Sequence, residues 1–314
     1  MALNTSYGDT GIPAKDTEIK FDVYQFYLKS YRSFVSSHFE NEAGIVLSAL
    51  GLKLSPLRTF DLSVLRRFLF IGWNTEFLCN LNNDREPEIL KVNNHWKPIQ
   101  AYYAVYSIGE ALAHCIDGHN PESHAGCLKK LNTFLVEYAR IEPWAFAYRG
   151  TRRAGFQRIN LPSDVRVLNV LSRSAVRPVD MLASCLKAEH DNLIDEFKPR
   201  RLTKSEKAAG KKKRYKHDHD PGYTTVLDFL YRLRIKSSYK DVKIFIAEAP
   251  DDFIRGFSDN LSFMVNSTAL LFESIIARRI GYNNLKLIAE EYKRIVPNEG
   301  QLDSRLAVYS SLFT

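Results

Sequence analysis

Apolar residues recur along this chain at the three- and four-residue spacing of a helix face, while period-two alternation is scarce, so the pattern predicts an all-α protein. Residues 17–39 carry Phe21, Tyr24, Tyr27, Leu28 and Tyr31 on one stripe. A second helix fits residues 61–80, where Asp61 or Ser63 can cap the start and Leu65, Phe68, Leu69, Trp73 and Phe77 line up behind it. After a polar stretch, Pro98 stands where a first helical residue belongs. From there KPIQAYYAVYSIGEALAHC places Ile99, Tyr103 and Tyr106 on one stripe and Tyr102, Val105, Leu112 and Ile116 on another. Apolar residues over more than half the circumference predict a central helix buried on several sides. Gly109 would let a neighbour approach closely, and Ser123 or His124 opens the next amphipathic stretch, AGCLKKLNTFLVEY.

Residues 141–200 are less regular. Pro143, Gly150, Gly155, Pro162 and Pro178 divide them, which leaves room for short helices at 163–173 and 178–197. The following KPRRLTKSEKAAGKKKRYKHDHDPG is too poor in apolar residues to offset the entropy of ordering, and a mobile loop is expected there. Helical text resumes at Thr224. The longest helix starts at Asp251 or Asp252, turns Phe253, Phe257, Leu261, Met264, Leu271 and Ile275 inward, and closes at Gly281. Short helices at about 283–295 and 303–313 complete the chain, and there is no internal repeat of solenoid length.

With 314 residues and 45% hydrophobic content the chain can bury a full core. Its net charge of +8 is unevenly spread. Residues 149–217 hold 18 Lys and Arg against 7 Asp and Glu, a balance of +11 that leaves −3 for the rest. Concentrated positive charge is the footprint expected for a polyanion, with nucleic acid the first choice and an acidic protein the second; a solvated basic face would look the same in sequence. Cys79, Cys115, Cys127 and Cys185 are irregularly spaced, as reduced thiols are. No run of eighteen apolar residues occurs and the first residues lack the charged and apolar regions of a secretory leader, so the expectation is a cytoplasmic protein with no membrane partner.

Nucleotide-loop, Rossmann, nucleophile-elbow and HExxH patterns are all missing, and neither a cofactor nor a metal is expected. The segment EPWAFAYRGTRRAGFQR interleaves Trp144, Phe146 and Tyr148 with Arg149, Arg152, Arg153 and Arg158. Aromatic faces can stack on bases while guanidinium forks hold phosphates, which makes Trp144, Tyr148 and these four arginines nucleic-acid-binding candidates. Aromatics that simply anchor a loop, with arginines in solvent, are the ordinary structural counterpart. Lys211, Lys212, Lys213 and Arg214 would add charge that strengthens salt-dependent binding. Cys115, His119, His124 and Cys127 stand at C-x3-H-x4-H-x2-C, a donor set chemically fit for zinc but not spaced like a known zinc module, and cysteines on packed helix faces more often serve as small core hydrophobes. His217 and His219 in KHDHDP could bind a metal with Asp218 and Asp220, but such ligands on a mobile loop are more often merely exposed.

Two stretches together carry a family resemblance. AYYAVYSIGEALAHCIDGHNPESHAGCLKKL is an aromatic-rich helix followed by a polar loop, a histidine and another helix. LYRLRIKSSYKDVKIF, followed by PDDFIRGFSDNLSFMVNSTALLFESI, is an arginine-bearing helix with a long helix behind it. Together they resemble the HEPN superfamily over roughly residues 98–135 and 224–280. The resemblance implies an antiparallel HEPN-like helical bundle from 98–140 and 221–314, with additional N-terminal helices in 1–97 and a basic, partly disordered insertion at 141–220. It also implies homodimerisation and, in active members, metal-independent ribonuclease activity from an arginine and a histidine. Here the arginine falls on Arg234, while the histidine position falls on Tyr239, Ser238 replaces the acid of some branches, and Gln100 stands where an arginine often precedes the tyrosines. A phenol with pKa near ~10 is a poor proton acceptor at neutral pH, and an arginine is none, so cleavage should drop by roughly a hundredfold or more while phosphate binding outlasts it. Arg234 and Tyr239 as a purely structural pair is the competing reading. The expectation is therefore a nucleic-acid-associated protein, RNA ahead of DNA, with weak or lost nuclease activity and a protein partner in a bacterial defence or toxin-type system. The alternatives are an active metal-independent endoribonuclease that uses Arg234 with Tyr239 or a distant histidine, and a protein-interaction scaffold.

Overall fold

The structure is a computed structural model that describes residues 14–57, 59–81, 87–119, 123–168, 177–197, 215–240, 251–296 and 300–313. It is mostly helical, with eleven α-helices and one two-stranded sheet among the described residues. The helices are α1 (Ala14–His38), α2 (Glu42–Leu50), α3 (Leu62–Asn80), α4 (Pro87–Asn93), α5 (Lys97–Asp117), α6 (His124–Thr133), α7 (Pro178–Glu196), α8 (Val226–Ile235), α9 (Asp251–Ile280), α10 (Tyr282–Ile295) and α11 (Gly300–Leu312).

Helix α5 lies at the centre, as its apolar circumference predicts. α3 runs along one side, α9 along another and α8 along a third. Gly72 of α3 makes the first of these contacts possible, because a Cβ there would come within 2.5 Å of Ile108 Cγ1. Gly109 does the same for Leu131, at 2.8 Å. α9 also packs against α1, α2 and α10, and one continuous apolar core runs from Tyr27 to Tyr309. The N-terminal helices therefore share the core of the residues that follow, with no break in packing at 97/98. α9 has the length and apolarity of a membrane-crossing helix, but 89% of that apolar window is buried inside the fold, as befits a core helix.

Local chemistry fixes the helix ends. Asp61 caps α3 by accepting from Ser63 N at 2.9 Å, and Ser123 caps α6 by accepting from Gly126 N at 3.1 Å. Gly118 ends α5 in the left-handed region (φ 80°), and Gly281 separates α9 from α10 at φ 87°. Helices α2 and α4 have no counterpart in the periodicity, because nine- and seven-residue helices give too few turns for a stripe to stand out.

Residues 141–220 differ most from expectation. Ala147–Thr151 (β1) and Gly155–Ile159 (β2) pair antiparallel, with Tyr148 opposite Arg158, and Tyr148 also bridges to Thr224. The helix expected at 163–173 is not formed over its described part. Residues 163–164 turn and 165–168 run non-helical, because Arg166 N donates to Asp180 Oδ1 at 2.8 Å and Leu168 N to Ser184 Oγ at 2.9 Å. Side chains of α7 thus take the amide protons that a helix would have needed. α7 itself, close to the expected 178–197, packs against α1, α8 and β1, so part of the basic segment belongs to the core.

Candidate functional site

Helix α8 is built to hold one arginine inside and present another outside. Thr225 and Asp228 form a capping box at its start, and Asn132 Nδ2 donates to Asp228 Oδ2 at 2.8 Å. Val226, Leu227, Phe229, Leu230 and Leu233 face the core. Arg232 is buried, its Nε donating to Glu189 Oε1 at 2.8 Å and its Nη1 to Glu196 Oε1 at 2.6 Å. Two residues later the helix has turned by roughly 200°, and Arg234 emerges half-buried on the other side. The helix then widens into a π-helical turn, Lys236–Lys240, where the hydroxyls of Ser237 and Ser238 both donate to the Arg234 carbonyl, at 3.0 and 2.8 Å.

The Arg234 guanidinium lies over three aromatic rings. Its Cζ is 5.4 Å from the ring centre of Tyr102, 5.1 Å from Tyr103 and 5.8 Å from Tyr231. Among the described residues it forms no ion pair with a carboxylate. Tyr102 and Tyr103 come from α5, so the two stretches that carry the resemblance meet at this point.

A histidine completes the cluster. His124, the first residue of α6, is exposed, and its ring lies flat on Tyr106 with centroids 4.1 Å apart and planes 4° from parallel. Its Nδ1 shares a 3.3 Å hydrogen bond with the Tyr102 hydroxyl, and Tyr106 donates to Glu110 Oε1 at 3.2 Å. Partial burial and then the Arg234 charge push the His124 pKa below its ordinary value, so the ring is neutral at pH 7. Burial raises the Tyr102 phenol despite the opposing pull of Arg234, and burial also raises Tyr106 and Glu110. The arrangement offers one fixed positive charge, a neutral imidazole and a set of protonated phenols on a partly open surface. Such a set can hold an anion against aromatic groups.

The expected sites fare differently. Arg234 stands in this cluster. The backbone of Tyr239 lies in the π-helical turn, while its side chain falls outside the described residues. Trp144 and Tyr148 are only 0% and 2% exposed, and Trp144 Nε1 donates to Thr268 Oγ1 at 3.0 Å. Both are core residues, so neither has the free ring face that the stacking role required. The hairpin arginines are engaged by this chain's own acceptors. Arg149 pairs with Asp220, Arg152 with Asp191 and Asp195, and Arg158 donates to the Val165 carbonyl at 2.9 Å. Arg153 meets Asp218 at 3.3 Å but is 74% exposed. Lys211, Lys212, Lys213 and Arg214 lie outside the described residues.

Cys115 and Cys127 are buried in the core, as small apolar residues are, and burial pushes both thiols up to about 12. No group of three metal-ligating side chains is assembled among the described residues. His217 and His219 stack on Tyr215 and Phe197. The residue that sequence reasoning placed elsewhere is His124, read as a helix start and a metal candidate; 110 positions separate it from Arg234, and no spacing rule links them. Comparison of the chain with models of known protein families, with curated proteins and with solved structures finds no match.

Proposed function

We propose that the chain is a HEPN-like, nucleic-acid-associated protein of the cytoplasm, binding RNA ahead of DNA, with its own nuclease activity weak or lost. One observation carries this reading. Arg234 is half-buried, lacks a carboxylate partner among the described residues and rests on three tyrosine rings, so its charge is available to a phosphate. The central helix α5 packs against both α8 and α9, which supports a HEPN-like bundle. A role within a bacterial defence or toxin-type complex, and a homodimer formed through the face that bears Arg234, follow from the resemblance and belong to the same proposal. The test is retention of labelled RNA as salt is varied. Arg234→Ala should weaken binding and reduce the slope of log affinity against log salt by about one. No salt-dependent retention of RNA or DNA would instead favour a protein-interaction scaffold without nucleic-acid binding.

A second reading has its own observation. His124 supplies beside Arg234 the imidazole that position 239 lacks, and a neutral imidazole is the group a metal-independent endoribonuclease needs to accept a proton from a 2′-hydroxyl. Robust cleavage of RNA in a chelator, lost in both Arg234→Ala and His124→Gln, would establish it over weak or absent activity.

A further inference from the structure

The Tyr106–His124 stack ends in an exposed histidine. Tyr106 is 6% exposed and covers one face of the imidazole, Tyr103 meets the ring edge-to-face with centroids 6.3 Å apart, and His124 itself is exposed. The hydrogen bond from Nδ1 to Tyr102 holds the ring against rotation, and Tyr102 is one of the three rings beneath Arg234. A flat, pre-set ring thus stands next to a guanidinium that has no carboxylate partner among the described residues. We infer that His124 is a stacking platform for one unpaired nucleobase, whose neighbouring phosphate lies on Arg234. The inference rests on the reading that Arg234 binds nucleic acid and adds a preference for single strands, since a paired base cannot offer its face to a side chain without leaving its stack. The ring works here as a surface and not as a charge. Its depressed pKa agrees with that, because a neutral imidazole brings no positive charge to a phosphate.

Three variants of the full chain, titrated by fluorescence anisotropy against a short labelled single-stranded RNA, the same strand with abasic sites, and a duplex, separate the possibilities. Loss of one base stack costs about 1–3 kcal/mol, so His124→Ala should weaken single-strand binding on the order of tenfold and leave the salt slope unchanged. His124→Phe keeps a flat ring but cannot transfer a proton, and should bind within about threefold of the native chain. The abasic strand should bind the native chain as poorly as the intact strand binds His124→Ala, and the duplex should not distinguish His124→Ala from native. If Arg234→Ala reduces affinity and salt slope while His124→Ala leaves both alone, the platform is wrong and the nucleic-acid reading survives. If His124→Phe fails as badly as His124→Ala, a stacking role is likewise excluded. If neither Arg234→Ala nor His124→Ala changes binding, both ideas fall together.

Discussion

Two arginines in this molecule are handled in opposite ways. Arg305, on α11, is completely buried, and each of its five N–H groups has a partner. Nη1 and Nη2 grip Glu76 at 2.8 and 2.7 Å, Nε and Nη2 reach Glu273 at 3.0 Å each, and the remaining proton goes to Asn266 Oδ1 at 2.8 Å. Glu273 also accepts from Trp73 Nε1 and the Tyr309 hydroxyl, both at 2.8 Å. This network ties α3, α9 and α11 together. Among the described residues Arg234 has rings in place of carboxylates, and it is half-buried rather than enclosed. A guanidinium whose donors are all spent inside the fold serves the fold, whereas one left with spare donors at the surface is available to a ligand. Charge count along the sequence cannot tell the two apart, since both are single arginines in amphipathic helices.

The largest effect should come from breaking the buried partner. Arg305→Ala leaves Glu76 and Glu273 facing each other without a counter-charge, and removing one member of a buried ion pair costs about 3–5 kcal/mol. That is a large share of the roughly 5–15 kcal/mol that holds a typical domain folded. Urea denaturation should show an early, broadened transition or no folded baseline. A midpoint close to native would mean that the network is incidental.

Arg232 is the intermediate case and sharpens the contrast. It is buried as Arg305 is, but its two carboxylates differ in setting. The Glu189 side chain is 5% exposed and that of Glu196 is 42%. Burial pushes the Glu189 carboxyl up to about 7, with Arg232 pulling it down and Asp228 pushing it further up. A folded-state pKa above the unfolded one means that folding favours the protonated acid. The stabilisation is complete below the ordinary glutamate pKa and is lost as pH rises through about 7. Stability measured from about pH 5 to about pH 8 should therefore contain a downward component that Glu189→Gln removes. Asp228, raised by burial to about 6, adds a component of the same sign at lower pH that this variant leaves in place. If the native and variant slopes coincide, Glu189 does not titrate in that window.

How much of this was legible follows from the kind of signal each feature carries. The long helices could be read because Trp73, Tyr103, Phe257 and their neighbours repeat over several turns, and because Asp61, Ser123 and Gly281 mark the ends chemically. The hairpin at 147–159 could not. Its two strands are five residues each, one face is polar, and the backbone turns at Gly150 (φ 114°) and Gly155 (φ 87°), which in sequence look only like breaks. The composition of the segment around that hairpin does not reveal which of its aromatic and basic residues are free. Trp144 and Tyr148 point inward, and the aspartates that neutralise Arg149 and Arg152 lie from 39 to 71 residues away. Arg234 could be singled out from its helix, whereas the rings beneath it and His124 beside it are gathered from α5 and α6 by tertiary packing alone.

The smallest effects belong to the surface arginines, and they bear most directly on where nucleic acid would touch. Arg152 pairs with Asp195 through two bonds of 2.8 Å each and with Asp191 at 3.2 Å, but the pairs are exposed and screened by salt. Reversing Arg152 and Arg153 to glutamate should shift the denaturation midpoint only slightly. Its effect on RNA retention is more telling. If phosphates engage Arg234 and its surroundings, the reversal changes only the long-range field, so the loss of affinity should shrink as ionic strength rises and should stay smaller than that of Arg234→Ala. If the hairpin were the contact surface, its arginines would have to leave Asp191, Asp195 and Asp218 for phosphates, and the reversal would abolish binding at every salt concentration. Measuring both variants across one salt series therefore tests whether either region meets a polyanion, and which one.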